Sequence, residues 1–371
     1  MSNRIRDARR DRGWSQTRMI AELQRIAARR NIELPGLETM KSRVSRWENN
    51  HSRPDDFYRE LLREALGMDD HELGFAPGRD EQSFSAADEL RARLTTRSLP
   101  DKELIQSLAA QTEAIRRQDR EYGAGSLLEQ MRAHVLNIEG HLLHAVFDSV
   151  RQPLAVVLAD AASLAGWQAF DLGSLDQAWR FFETAARAAQ QAGDHELYAF
   201  SRMEQVQALG QLADPATAAR VAESLWRSDA ADVSPAVRCW MAAATAEMLA
   251  DSGDAKAALR MVGEAESLAN SLESQRPPYL VFNDVHLDRW IGHTLTVVND
   301  PAAEARLRRA DEQMDSTFTR AATSLSIDLA AALFNRGERD EAKEFLAKAE
   351  QLAKRIGSRR QMARIDKLRG A

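Results

Sequence analysis

The stretch Arg43-Val44-Ser45-Arg46-Trp47-Glu48-Asn49-Asn50-His51-Ser52-Arg53-Pro54 gathers the side chains best suited to chemistry in the first part of the chain. Its first half is helix-friendly, and its second half is a polar, basic turn closed by proline. A guanidinium keeps its charge and presents several donors in a fixed fork; hydroxyls and an imidazole add hydrogen bonds beside it. That combination suits the gripping of a polyanion, not the making or breaking of bonds. Val44 and Trp47 lie three apart, so a helix turns both inward while the arginines stay at its rim. A helix that only had to pack has no use for so much positive charge at its tip. The plainer alternative is that Arg43 and Arg46 form surface ion pairs and nothing more, and the residues alone leave it open.

Other reactive groupings are thin. His134, His141 and His144 invite a metal reading, and the last two share a helical face, but no carboxylate or cysteine completes a set. Hydrogen-bonded or solvated histidines are expected there, and no metal. Cys239, the one cysteine, sits in the apolar helical stretch AVRCWMAAATAEM and reads as a small buried hydrophobe. A single cysteine excludes an intramolecular disulfide and fits a reducing cytoplasm. There is no His-Glu-x-x-His, no phosphate-binding Gly-rich loop, no Gly-x-Ser-x-Gly elbow and no GxGxxG after a strand. The expectation is a protein without enzymatic activity or cofactor.

The 371 residues carry a formal net charge of -6, which by itself argues against a nucleic-acid binder. The distribution reverses that. Residues 1–63 hold 15 Lys/Arg against 9 Asp/Glu, and the remainder 35 against 47. A basic head on an acidic body suggests two jobs, the head addressing an anion such as DNA. No apolar run near the roughly 18 residues of a membrane span is apparent, and MSNRIRDARRDRGW lacks the apolar centre of a signal peptide. A cytoplasmic protein with no membrane partner is expected.

The elements that position these residues can be read in order. Residues 1–75 form a first domain of short helices with tight connections. The first covers 3–12 and stops at Gly13; the second runs from Gln16 to about 30 behind Ser15 as N-cap, with Met19, Ile20, Leu23 and Ile26 on one face. Pro35-Gly36 breaks the chain, Thr39 caps a third helix over 40–48, and DDFYRELLREALG supplies a fourth with an acidic first turn. Residues 76–98, opening with APGRDEQSFSAAD, read as a linker. Residues 99–371 are helical throughout and repetitive. One frame recurs at Gly173/Ala178/Ala185, Gly253/Ala258/Ala265 and Gly337/Ala342/Ala349, with weaker copies at Gly210 and around Ala305. Glycine permits the tight turn between antiparallel helices, and the alanines let each pair nest on the next. These are positions a tetratricopeptide-type repeat uses, at spacings of roughly 40 residues against the usual 34 or so. The predicted fold is all-α, a helix-turn-helix head followed by a TPR-like array.

The order helix, Gly13-Trp14-Ser15-Gln16, helix, turn, helix, Trp47-Glu48, polar turn, Pro54 resembles the Xre/Cro-type helix-turn-helix of bacterial transcription regulators, over residues 3–75. Two features depart from the pattern. The second helix and its turn run on through QRIAARRNIELPGLE, and Asn50 stands where glycine is usual, asparagine being the next best residue for a left-handed turn. The resemblance implies double-stranded DNA as partner, with the third helix in the major groove. Carried onto this sequence, Lys41, Ser42, Ser45 and Arg46 face base edges, Arg46 foremost because a guanidinium can hold guanine O6 and N7 with two bonds. Gln16 then contacts phosphate and braces the third helix, and Arg43, His51, Ser52 and Arg53 hold the backbone. Glu48 is expected to satisfy a buried donor or the first helix.

Regulators with this head on a TPR-like body are familiar from actinobacteria, and LAGWQAFDLGSLDQAWRFF resembles that group. More distantly, the layout is similar to peptide-pheromone receptors of other Gram-positive bacteria. By resemblance the body forms a homodimer and takes a peptide or small effector in a concave groove. Dimerisation has a separate ground: one small head reads few base pairs, and two heads a helical turn apart multiply affinity and specificity. The first helix of each repeat offers Trp167, Glu247 and Phe334 to the groove, with Glu204, Trp290 and His293 from the weaker copies. RPPYLVFNDVHLDRWIGH adds Asn283, His286 and Arg289. For each aromatic the alternative is helix–helix core. The rival function is a protein-interaction adaptor whose head does not read DNA.

Overall fold

In the computed structural model the described residues are 4–30, 32, 34–49, 51–75, 101–269 and 276–370. The expected linker and Asn50 lie outside them. The chain divides into two compact units, a head and a body. Among the described residues every regular element is an α-helix, and the fold is all-α, a helix-turn-helix head followed by a TPR-like helical repeat array.

The head contains α1 (Ile5–Asp11), α2 (Gln16–Arg29), α3 (Leu37–Glu48) and α4 (Asp56–Leu66). Gly13 takes a left-handed φ of 66° and lets the chain reverse after α1. Ser15 then caps α2, its hydroxyl accepting from the Arg18 amide at 3.1 Å. The expected apolar face of α2 is fully inside: Met19, Ile20 and Leu23 join Met40 and Val44 of α3 and Leu61 and Leu62 of α4 in one core. The third helix begins three residues earlier than Thr39 predicts. Gly36 is its N-cap, without a side-chain hydrogen bond, and Thr39 lies exposed inside the helix. Glu38 in the first turn suits the helix dipole and pairs with Lys41 at 2.8 Å, which favours the extra turn.

The body runs through α5 (Lys102–Tyr122), α6 (Leu128–His144), α7 (Asp148–Asp171), α8 (Leu175–Ala192), α9 (His195–Leu212), α10 (Pro215–Asp229), α11 (Pro235–Asp251), α12 (Ala255–Leu268), α13 (Asp284–Val297), α14 (Ala303–Gln313), α15 (Thr319–Arg336), α16 (Arg339–Ile356) and α17 (Arg359–Arg369). Helices α7/α8, α9/α10, α11/α12, α13/α14 and α15/α16 form successive hairpins, and α7, α9, α11, α13 and α15 pack side by side as an inner layer. The three legible repeat frames fall where a hairpin needs them. Gly173, Gly253 and Gly337 have φ of 78°, 87° and 82°, and the six paired alanines are all fully buried.

The weaker copies are displaced. Gly210 lies within α9, and the turn is made after Leu212, with Pro215 opening α10. Ala305 is exposed; the buried alanines seven apart in that hairpin are Ala303 and Ala310, and Asn299, at φ 57°, takes the left-handed place of glycine. A longer turn moves the frame. Helix α7 also contradicts the expectation of no span-length apolar run: its most apolar window has a mean hydropathy of 1.3, but 78% of that window is buried by neighbouring helices, as in a core helix. Its alanines allow that closeness, and a Cβ on Gly166 would stand 2.5 Å from the Phe182 ring of α8.

The two ends of the array meet. Helix α5 packs on α15 and α17 packs on α7. Arg320 of α15 grips Asp119 of α5 with bonds of 2.7 and 2.9 Å and stands 3.2 Å from Asp171 of α7. Ser358, the N-cap of α17, donates to the same Asp171 at 2.7 Å.

Candidate nucleic-acid interface and ligand cavity

In the head, helix periodicity sorts the side chains of α3 into two sets. Met40, Val44, Trp47 and Glu48 are buried, whereas Ser42, Arg43, Arg46 and Asn49 are exposed and Lys41 and Ser45 half-exposed. The buried carboxylate is what fixes the helix. Glu48 accepts from Arg9 Nε at 2.6 Å and Nη2 at 3.1 Å, from Gln16 Nε2 at 2.9 Å, and has Arg6 at 3.9 Å. Burial opposes its charge, but the hydrogen bonds from Arg9 and Gln16 and the nearby guanidinium charges overcome that and hold its pKa below the usual carboxylate value. Three helices are thereby tied at one point, and Glu48 serves the first helix as expected. Gln16 is the brace; its amide N–H is directed to Glu48.

The remaining charge is distributed unevenly. On the face shared by α2 and α4, Arg29 and Arg30 are matched by Glu60 and Glu64. On the α3 side, Arg43 makes no ion pair among the described residues. It donates to the Tyr58 hydroxyl at 2.6 Å and lies 5.2 Å over that ring. Among the described residues Arg46, His51 and Arg53 have no hydrogen bond from their side chains and no ion pair, and Arg46, His51 and Arg53 are exposed while Ser52 is half-exposed. Lys41 is engaged with Glu38, and the Ser45 hydroxyl lies 3.4 Å from Asn49 Nδ2. With α3 starting at Leu37, residues 41–46 occupy its middle, three residues further into the helix than the expected boundary placed them.

In the body, the inner helices surround a cavity of about 730 Å³. Helix α7 contributes Ser163 and Trp167; α9, Glu204 and Gln207; α11, Trp240 and Glu247; α13, His286, Arg289, Trp290 and His293; α15, Arg320, Ser324 and Asp328. These spacings of three, four and seven are those of one helical face. Seven of the nine predicted groove residues therefore come together. Asn283 and Phe334 do not. Asn283 is exposed and spends its Oδ1 on capping α13, accepting from the His286 amide at 3.0 Å. Phe334 packs with Ile327, Phe345 and Leu346 beyond the last inward turn of α15.

The cavity wall is a chain of coupled charges. Asp328 accepts from Arg364 at 2.6 Å and pairs with His293 Nδ1 at 2.8 Å, leaving His293 Nε2 3.6 Å from Glu247. Burial lowers the basicity of His293, but Asp328 and Glu247 outweigh it and raise its pKa to about 9. Burial pushes Glu204 up to about 8, only partly opposed by the hydrogen bonds it accepts from Ser163 and Trp167. His286, buried near Arg289 and Arg120, is pushed down to about 3. Glu247, Asp251 and His293 bring ligand atoms within 4.8 Å of one another, close enough for one cation. The positive charges of Arg289 and Arg364 act on the same carboxylate and oppose such an ion. His134, of the three histidines weighed for metal, is buried and bonded to Thr112 at 2.9 Å. Cys239 is buried and its thiol is pushed up to about 12 by that burial, as an inert small hydrophobe should be.

Sequence reasoning missed Arg320, Asp328, Asp119 and Arg364. Their one trace is a lone acid in an apolar run, Asp328 in LSIDLAAALF, which must find a partner once buried.

No family model matches the chain, and no curated protein does. Among solved structures it is similar to Bacillus thuringiensis PlcR in complex with the peptide PapR7 and DNA, at 13% identity over 98% of this chain and 96% of that one, with a TM-score of 0.33. The likeness is a loose one, and the fold rests on the helices themselves.

Proposed function

We propose that the chain is a sequence-specific DNA-binding transcriptional regulator of Xre/Cro type that acts in the cytoplasm, with no reaction of its own. Its body forms a homodimer and senses a ligand in the inner cavity. One observation carries this reading: α3 is locked from behind by Arg9, Glu48 and Gln16 while its outward face keeps Arg46 exposed and unpaired among the described residues. A surface ion pair would explain the arginines without DNA, and neither Arg43 nor Arg46 makes one among these residues. Ser42, Ser45 and Arg46 are then the base-reading set, and His51, Ser52 and Arg53 the backbone clamp. For the dimer, the supporting feature is exposed apolar side chains on α6 and in the turn after it, namely Leu136, Leu143, Val146 and Phe147, 57–80% exposed. A second copy is the occupant that a two-headed reader requires.

Selection of fragments from a random duplex pool by the full chain tests the reading. It predicts enrichment of a two-part motif whose halves lie about one helical turn apart. Sedimentation should give twice the 41.5 kDa chain mass. A pool that stays random after repeated rounds contradicts the proposal.

A further inference from the structure

We infer that the inner cavity of the body takes a singly charged oxyanion, a carboxylate or sulfonate, carried on a flat aromatic skeleton, with Arg289 as the group that receives the charge. This rests on the proposal that the body senses a ligand and names its chemical class.

The first ground is the sign of the lining. Residues 98–371, the body, carry 31 Lys/Arg against 39 Asp/Glu, yet the cavity is lined by seven Lys/Arg and six Asp/Glu. Two of its titratable groups tilt it further, since Glu204 keeps its proton to about 8 and His293 to about 9. An acidic domain has thus turned a positive surface inward.

The second ground is one particular guanidinium. Arg116, Arg320, Arg360 and Arg364 each face a carboxylate of the protein, Asp160, Asp119, Asp171 and Asp328 respectively. Arg120 has Glu113 at 4.0 Å. Arg289 alone among the lining arginines has neither hydrogen bond nor ion pair within the described residues, and its buried Nε has no partner. It rests 5.3 Å over the Trp290 ring. Arg289 is half-buried with its Nε closed off from water; a guanidinium with unused donors in such a place is costly, and an oxyanion arriving from outside offsets the cost. The neighbouring acids do not fill this role: Asp328 is engaged by His293 and Arg364, and Glu247 faces His293. Of the lining cations only Arg289 and the exposed Lys367 make no ion pair among the described residues, and Arg289 is the half-buried one, so one negative charge beside it is called for.

The third ground is what lies beside it. Trp290 stands edge-on to Trp240 with centroids 6.4 Å apart, Trp240 lies 4.7 Å from Phe200, and Phe200 4.8 Å from Tyr279. This continuous aromatic wall accepts a planar apolar skeleton, and about 730 Å³ has room for two or three fused or linked rings.

Two fluorescent probes of nearly the same skeleton test this on the full chain. 8-Anilinonaphthalene-1-sulfonate carries the anion, and N-phenyl-1-naphthylamine lacks it. The sulfonate should bind at least about tenfold more tightly, as a charge-assisted hydrogen-bond pair requires. Arg289→Met should abolish that preference and leave the neutral probe's affinity unchanged; Arg289→Lys should restore part of it. The Met variant should unfold at the same temperature as the parent or higher, because an unpaired, half-buried charge has been removed. A tight, undiminished sulfonate complex in Arg289→Met, equal binding of both probes, or binding of neither overturns the assignment. Operator binding is measured on the same preparations. Loss of DNA binding with the probe preference intact counts against the regulator reading alone, and the reverse counts against the cavity alone.

Discussion

Arg46 and Arg53 are both exposed cations close in sequence, and the proposed function gives them different work. Arg46 sits on the outward face of α3 and Arg53 in the turn after it; under the proposed function the first would meet base edges and the second phosphates. Arg46→Ala should therefore weaken binding to the selected operator by roughly 1–3 kcal/mol and relax discrimination at one position. Arg53→Ala should weaken all duplexes alike and reduce the salt slope by about one unit. Competition titrations with operator and scrambled duplex separate the two, and unchanged discrimination in the Arg46 variant removes it from the reading set. In the body, Glu204 makes a prediction of opposite electrostatic logic. Its folded pKa is raised to about 8 from an ordinary 4.5. The folded state therefore holds a proton that the unfolded chain releases, so its contribution to stability falls as pH rises from 4.5 towards 8. Glu204→Gln should remove that slope, so the thermal midpoint of the variant should gain on the parent steadily between those limits. Parallel curves would show that Glu204 is ionised throughout.

At the scale of elements, the sequence is most informative where a local residue decides the geometry. Ser15 announces α2 because a hydroxyl must meet the free amides of a helix start, and Gly173, Gly253 and Gly337 announce their turns because each takes a left-handed φ. The start of α3 is illegible for the same reason: Gly36 caps it without any side-chain bond, so Thr39 looks like the better candidate. Asn299 doing the work of a glycine hides the fourth repeat. Seven of the eight predicted groove residues on the inner helices are placed by helical phase from the stronger and weaker repeat turns or from the polar density of α13, and Phe334 fails because α15 carries it one turn past the cavity. Least legible are contacts between distant helices. Asp119 and Arg320 are 201 residues apart, and nothing local pairs them. Their latch also carries a prediction. Arg320→Met leaves Asp119 and Asp171 buried without their main partner, and breaking such a pair costs about 3–5 kcal/mol. Calorimetry of the full chain should show a lower body transition, and a midpoint within error of the parent would mean that α5 and α15 are held by apolar packing alone.

For the whole molecule, the division of charge is the organising fact. The first 63 residues, most of the head, hold 15 Lys/Arg against 9 Asp/Glu, and the body, residues 98–371, is acidic in sum at 31 against 39 yet lines its cavity with more cations than acids. Under the proposed function an acidic body would repel DNA and leave the approach to the head, while its cavity would take an anion of a different size. Ligand occupation and DNA binding can be coupled only if the ligand favours one arrangement of the two heads over another, which is a difference in affinity between states and is measurable as a shift in operator affinity with saturating ligand. All of it depends on α3 meeting a duplex. The most direct test is a titration of the full chain onto the selected operator and onto a scrambled duplex, across salt concentrations. Affinity should fall steeply with salt on both duplexes, and the operator should stay tighter by about a thousandfold or more. Equal affinity for the two, or binding indifferent to salt, would contradict the account.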